Sequence, residues 1–179
     1  TASLDRIDNS IGYTKDNICW VHKIANKIKY TNSTGELLNW CKLILQPDKT
    51  KYELVIPNIK QHKGWIGYGL ISGTYWRCVI SGAKLRKIDT NLSIEDAWGQ
   101  FINQAGRCYI TTVPIYLSHK YNRDCRLQTA SIDRIDNNYS YTKDNIVWTH
   151  KLINMMRWNL SIDEFKFWIE KFVSIFLNF

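Results

Sequence analysis

The chain contains one segment twice, and this repeat limits its fold more than any other feature. Residues 1–29 align with residues 129–157 at a constant offset of 128 positions, with 18 identities and no gap. The register continues beyond the identical residues, where Trp40 aligns with Trp168. Because self-similarity of this length reflects a shared structural unit, we predict that both copies adopt the same local fold.

Each copy has the pattern of a strand, a loop, a second strand and a helix. In the second copy, QTASID predicts an extended segment, DNNYSYTKDN a turn-forming loop, NIVW a short strand and HKLINMMR a helix. A further amphipathic helix closes each copy, because Ser161 and Glu164 form a capping-box pattern ahead of apolar residues at helical spacing. We expect this last helix to run from Ser161 to about Leu177.

The first copy lacks the segment that precedes the second. Residues 46–70 combine prolines, glycines and lysines, which predicts a connector with little regular structure. We place the domain boundary near residue 58, so that residues 1–57 form a partial copy with a linker and residues 58–179 form a complete domain.

Two helices are expected upstream of the second copy. One is predicted over Ser72–Lys87, and the other over Ser93–Ala105, where Ser93 and Asp96 mark the start and Gly106 the stop. The following stretch, GRCYITTVPIYL, contains residues typical of short β-strands around a proline.

Composition favours a polyanionic partner. The formal net charge is +8 and the isoelectric point is near 9.2, and lysines or arginines that neutralise phosphates gain affinity by releasing counterions. Charge alone leaves nucleic acid at even odds.

No CxxC pair occurs, so neither a disulfide framework nor a structural zinc site is indicated, and we expect a reducing, cytoplasmic location without membrane spans. The five cysteines are Cys19, Cys41, Cys78, Cys108 and Cys125.

The polar residues of the second copy have a family resemblance. Asp133 and Arg134 follow a strand, Asn145 follows a loop, and Asn154 lies nine residues later in a helix. This arrangement resembles the ββα-metal core of the HNH, or His-Me finger, endonucleases. With the upstream stretch SGTYW to TTVPI, residues 58–179 are similar to a whole nuclease domain of the phage and mobile-element type, whereas residues 1–45 resemble only its second half.

The resemblance implies an α+β fold with flanking helices and a divalent-metal-dependent endonuclease acting on double-stranded DNA. Asp133 and Asn154 would hold Mg²⁺ or Mn²⁺ through a carboxylate and an amide oxygen. Asn145 would brace the loop backbone. Arg134 stands where the family usually carries a histidine base, and because arginine stays protonated it can clamp a phosphate but cannot accept a proton.

Another residue must therefore activate the water. Asp89 ranks first, because relatives often place an acidic residue or a histidine in that upstream segment, although a turn aspartate is an equally good explanation. Tyr141 would have to lose a proton that tyrosine ordinarily keeps at pH 7. His150 titrates in a suitable range, yet its position suggests phosphate contact or packing.

Basic side chains around these residues are expected to contact DNA phosphates. They are Lys84, Arg86, Lys87, Lys143, Lys151 and Arg157.

The first copy keeps counterparts of the core residues, namely Asp5, Arg6, Asn17 and Asn26. Its role stays open between a fragment of a tandem nuclease, a DNA-binding arm and a partner in a homodimer or domain-exchanged assembly. Two other functions also stay open: a non-catalytic nucleic-acid-binding module and a nuclease acting on RNA.

Overall fold

A computed structural model describes residues 1–48, 50, 64–117 and 128–177 of the chain. Over those residues the protein is a mixed α+β structure with six α-helices and three small antiparallel sheets of two strands each. The chain divides into two compact units. The first unit contains Thr1–Pro47 and Leu152–Phe179, and the second contains Asp48–Lys151.

This division differs from the boundary expected from the sequence repeat. The predicted boundary at residue 58 lies outside the described residues, and so does most of the connector. The first unit holds the whole first copy together with the closing helices of the second. The second unit holds the upstream segment and the strand pair of the second copy.

The first copy forms a hairpin followed by two helices. Strand β1 (Ala2–Arg6) pairs antiparallel with β2 (Ile18–His22), with Leu4 opposite Trp20. Helix α1 (Lys23–Lys29) follows β2 directly, and α2 (Thr34–Leu45) begins after a short turn. Ser33 and Glu36 form the complete capping box at the start of α2, as the sequence predicts.

The second unit contains two more strand pairs and two helices. In chain order its elements are β3 (Gly67–Tyr68), β4 (Ile71–Ser72), α3 (Gly73–Leu85), α4 (Ile94–Asn103), β5 (Ala130–Arg134) and β6 (Ile146–His150). The β5–β6 hairpin repeats the register of the first copy, because Ile132 lies opposite Trp148. The predicted order of strand, loop, strand and helix is confirmed for both copies.

Trp148 is the centre of the second unit's core. Its side chain is fully buried, and its indole Nε1 donates a hydrogen bond of 2.7 Å to the carbonyl of Ala97 in α4. The ring of Phe101 meets it edge-on at 5.5 Å, and Tyr75 from α3 stacks at 6.0 Å. Burial raises the pKa of Tyr75 to about 12, so its hydroxyl stays protonated inside this core.

The last two helices, α5 (Lys151–Arg157) and α6 (Ile162–Leu177), complete the second copy. Within the first unit, α6 packs against α2, and both helices contribute buried apolar faces. His22 stacks on Trp168 at 4.7 Å. Because α2 and α6 occupy equivalent positions in the repeat, two copies of one element form this core.

The sequence predicts the helices better than the turn region. The helices expected over Ser72–Lys87 and Ser93–Ala105 are α3 and α4, and the closing helix is α6, so these predictions are confirmed. The strands expected from residue 106 to 117 are wrong. This stretch forms turns with one isolated bridge, because Gly106 and Thr112 adopt left-handed backbone angles that end any extended run. No helix in the described ranges is long and apolar enough to cross a membrane.

Candidate functional site

An asparagine closes the loop of each hairpin. In the second copy, Asn145 accepts a hydrogen bond of 2.9 Å from the Asp136 amide and donates bonds of 3.0 Å to the carbonyls of Asp136 and Ser140. In the first copy, Asn17 makes the equivalent bonds to Asp8, at 2.8 Å and 3.0 Å. The loop-bracing bonds expected of Asn145 are therefore present in both copies, whereas its catalytic contribution stays a prediction.

The motif arginine also holds the loop, which the sequence did not indicate. Nη1 of Arg134 donates to the carbonyls of Asn137 and Tyr139 at 2.7 Å and 2.6 Å. Nη1 of Arg6 makes the matching pair of bonds in the first copy, both at 3.0 Å. One edge of each guanidinium is thus fixed by the chain itself, which presets its orientation.

A second arginine meets Arg134 across a buried ring. The guanidinium carbon of Arg134 lies 5.3 Å from the ring centroid of Tyr141, and that of Arg86 lies 5.9 Å from it. Nη2 of Arg86 also donates a hydrogen bond of 3.1 Å to the Tyr141 hydroxyl. We call Arg86, Arg134 and Tyr141 the arginine cluster. Two guanidinium groups around one ring form a local concentration of positive charge.

Asp89 lies beside this cluster. The amide of Tyr141 donates to the Asp89 carbonyl at 3.2 Å, and the amide of Asn91 donates to the Tyr141 carbonyl at 3.0 Å. Thr90 forms the corresponding parallel bridge with Tyr141. The Asp89 side chain is exposed. The structure therefore brings together four of the residues singled out from the sequence: Arg86, Asp89, Arg134 and Tyr141.

The motif aspartate is buried in both copies. Asp133 is the penultimate residue of β5, and its Oδ1 accepts a hydrogen bond of 2.9 Å from the Arg134 amide. In the first copy, Asp5 accepts the matching bond from the Arg6 amide at 2.8 Å. The other oxygen of Asp5 forms an ion pair of 2.8 Å with Nζ of Lys29, which also donates to the Arg6 carbonyl.

The ion pair decides whether the first copy suits a metal. Both side chains of the pair are about nine-tenths buried, so the ammonium of Lys29 already balances the charge of Asp5. Nδ2 of Asn26 donates to the Leu4 carbonyl and to Oγ of Ser3, both at 3.0 Å, and so ties α1 to β1. These residues do not fit a divalent cation without losing bonds that hold the copy together.

The equivalent oxygen donors of the second copy are Asp133 and Asn154. A carboxylate at Asp133 and an amide oxygen at Asn154 are the hard ligands that Mg²⁺ prefers, and Mg²⁺ commonly keeps several of its waters. Asn154 lies in α5, where its backbone carbonyl accepts a hydrogen bond from the Trp158 amide. Among the described residues, no three His, Cys, Asp or Glu side chains gather as a metal-binding group. Asp133 and Asn154 as a ligand pair stay a prediction.

His150 ends β6 and is partly buried. Burial lowers its pKa below the usual value near 6.5, because the charged imidazolium loses solvation, and the neighbouring charge of Lys151 lowers it further. The ring is therefore neutral at pH 7. A neutral imidazole can accept a proton, so His150 keeps the chemical form that a base requires.

The expected DNA-contacting residues differ in exposure. Lys84, Arg86 and Lys87 cluster at the exposed end of α3, and Lys143 and Lys151 are also exposed. Lys143 lies 4.0 Å from Asp96, a surface pair of little energetic weight. Arg157 is fully buried, and its Nη1 donates a hydrogen bond of 2.6 Å to the Leu160 carbonyl in the turn after α5. We therefore remove Arg157 from the DNA-contacting set.

A basic groove in the first copy was not found from the sequence. Its volume is about 480 Å³, and its lining residues are Ala2, Ser3, Lys23, Asn26, Lys27 and Tyr30. Lys23 and Lys27 are exposed one helical turn apart, and no described carboxylate forms an ion pair with either. Their spacing of four residues on α1 was the available signal. The second copy carries Met155 in place of Lys27, so this charge distribution is specific to the first copy.

Comparisons with protein-family models, with curated proteins and with solved structures find no match to this chain. The arguments for a function therefore rest on the residues and on their geometry. The two copies provide an internal comparison instead, since equivalent positions can be examined in two different surroundings.

Proposed function

We propose that the chain is a divalent-metal-dependent endonuclease of the HNH type that cuts double-stranded DNA at a site in the second copy. The observation that carries this proposal is the arginine cluster, in which Arg86 and Arg134 converge on Tyr141. Asp133 precedes Arg134 in β5, and Asp89 runs beside Tyr141. An anion-binding group, a carboxylate and a candidate base thus occur within one compact unit.

The arginines supply the electrostatic part of the mechanism. Negative charge grows on the phosphate oxygens during cleavage of a phosphodiester, and fixed guanidinium groups stabilise it without having to reorganise. Arg134 is preset by its bonds to the loop carbonyls, and Arg86 by its bond to the Tyr141 hydroxyl. The planar guanidinium group is suited to bidentate contact with a phosphate.

The remaining steps concern the metal and the proton. A bound Mg²⁺ would polarise the phosphate and stabilise the departing oxygen. Asp133 would provide its charged ligand, held in position by the Arg134 amide. The water's proton would pass to a neighbouring base. Asp89 is one candidate because its backbone pairs with that of Tyr141 beside the arginine cluster, and His150 is another because its imidazole is neutral at pH 7.

The first copy acts in this proposal as a DNA-binding surface without a second active site. Its aspartate is paired with Lys29, whereas its groove presents Lys23 and Lys27 without acidic partners among the described residues. Lysines that face a polyanion in this way contribute affinity by counterion release and carry little sequence information.

A specific observation favours a second function, that of a non-catalytic nucleic-acid-binding module. Arg6 and Arg134 make the same loop bonds, and so do Asn17 and Asn145. Retention of these residues in both copies is thus explained by loop structure alone. On this alternative, the arginine cluster would bind phosphate without cleaving it.

Incubation with supercoiled plasmid in Mg²⁺ or EDTA separates the two functions. The endonuclease should give nicked or linear product with Mg²⁺ and none with EDTA, and Asp133→Asn protein prepared in parallel should give none in either. Binding without cleavage in Mg²⁺ and Mn²⁺ would support the module. Preferential cleavage of an RNA hairpin would instead identify RNA as the substrate.

A further inference from the structure

The equivalent tryptophans of the two hairpins have opposite exposures. Trp148 is 0% exposed, whereas Trp20, at the same position in the first copy, is 74% exposed. Tyr141 and Tyr13 differ in the same way, at 6% and 66%. We call Trp20 and the outer edge of β2 the Trp20 face. A sequence that forms a buried surface in one copy therefore forms an open one in the other.

The second copy shows what covers such a surface. Helix α4 places Phe101 against the Trp148 ring, and the Ala97 carbonyl accepts the indole N–H. Gln104, just after α4, bonds the strand edge twice, accepting from the Trp148 amide and donating to its carbonyl, both at 2.8 Å. The amide of Tyr109 adds a bond of 2.9 Å to the same carbonyl.

The Trp20 face has the geometry to accept the same contacts. Because both hairpins share one register, the N–H and C=O of Trp20 point away from β1, as those of Trp148 point away from β5. Within the described ranges, no residue outside the hairpin bonds to either group. An open strand edge beside a large exposed aromatic ring is a surface that a partner can both pair with and bury.

A charged residue at the rim extends the match. In the second copy, Lys143 lies near Asp96 in the first turn of α4. Its counterpart in the first copy is Lys15, which is exposed and has no acidic partner among the residues that the structure describes. An occupant of the α4 type would bring a carboxylate to Lys15.

We propose that the Trp20 face is a docking site for a polypeptide segment of the α4 type. Such a segment is an amphipathic helix with an acidic first turn, an aromatic ring facing the indole and a glutamine just after its end. The segment from Ser93 to Tyr109 of this chain defines that chemistry. The proposal is independent of nuclease activity, because it rests only on the unequal covering of the two hairpins.

The test supplies the first copy with the cover that the second copy has. Residues 64–128 are duplicated and joined directly ahead of Thr1 of the full chain, so that the order matches the one before Thr129. Hydrogen exchange of Ile18–His22 is then followed by mass spectrometry. Exchange should slow by at least about tenfold relative to the unmodified chain, because the strand edge gains hydrogen bonds.

A matched control carries Phe101→Asp and Gln104→Ala in the duplicated segment alone, and it should exchange as fast as the unmodified chain. A peptide of residues 93–117 added to the full chain should protect the same strand saturably. Failure of both the duplication and the peptide to protect Ile18–His22 would overturn the proposal. Protection that rises with the concentration of the unmodified chain alone would assign the face to a second copy and also overturn it. Protection of Ile18–His22 by a DNA duplex alone would likewise overturn the proposal.

Discussion

The two copies agree inside their loops and disagree at their surfaces. Asn17 and Asn145 make the same backbone bonds, whereas Trp20 is exposed and Trp148 is buried. Local hydrogen bonding therefore follows from the repeated sequence, and burial follows from what lies beside it. The second copy, with the arginine cluster and the α4 cover, has the surroundings in which we place the active site.

The largest expected difference between the copies is in stability. Trp148→Ala should lower the free energy of unfolding by about 3–5 kcal/mol, because it removes a fully buried ring and its bond to Ala97. Trp20→Ala should change it by at most about 0.5 kcal/mol, because exposed side chains contribute little. Urea denaturation measures both, and equal losses would contradict the unequal covering.

The second prediction concerns activity. Arg134→Lys should lower the cleavage rate about 100-fold, because a point charge cannot replace a planar guanidinium that stabilises developing charge. Arg6→Lys is the matched control, since it breaks the same kind of loop bonds in the first copy. Its cleavage rate should stay near that of the unmodified protein.

A histidine at the same position sharpens this test. If Arg134→His restored or raised activity and introduced a pH dependence near 6 to 7, position 134 would be an ordinary base site. The assignment of Arg134 as a phosphate clamp would then be wrong.

The third prediction concerns the basic groove. Replacing Lys23 and Lys27 together by glutamine should weaken DNA binding several-fold at low salt and reduce the slope of log affinity against log salt by up to about 2, one for each phosphate contact. Lys42 and Lys166, exposed on α2 and α6, provide a double glutamine control of equal charge change. Equal losses of DNA affinity in the two double variants would show that Lys23 and Lys27 act only through the net charge of the protein and not as a DNA-binding groove.

The smallest expected effect is the pH dependence of stability. The pKa of His150 is lower in the folded protein than in the unfolded chain, so the unfolded chain binds more protons as the pH falls below about 6.5. Stability should therefore decrease over that range and level off below the folded pKa. His150→Gln should flatten this decrease. Denaturation midpoints at several pH values measure the difference.

Most secondary structure of the second unit could be predicted from local sequence signals. The features that could not be predicted depend on contacts between residues far apart in the sequence. The capping serine of α4 and the loop bonds of Asn145 depend on neighbours in sequence, so they could be predicted. The position of Arg86 against Tyr141 joins residues 55 positions apart, and no spacing rule indicates it. The exposures of Trp20 and Trp148 could not be predicted either, because the same residue has different surroundings in the two copies.

The most direct test of one active site per chain compares Asp133→Asn with Asp5→Asn. The two substitutions are chemically identical and lie at equivalent positions of the repeat, and the carboxylate of Asp5 forms an ion pair with Lys29. In a plasmid cleavage assay with Mg²⁺, Asp133→Asn should abolish cutting, and Asp5→Asn should retain most of it. Cutting at the unmodified rate by Asp133→Asn, or conversion of a double-strand cutter into a nicking enzyme by Asp5→Asn, would contradict the assignment.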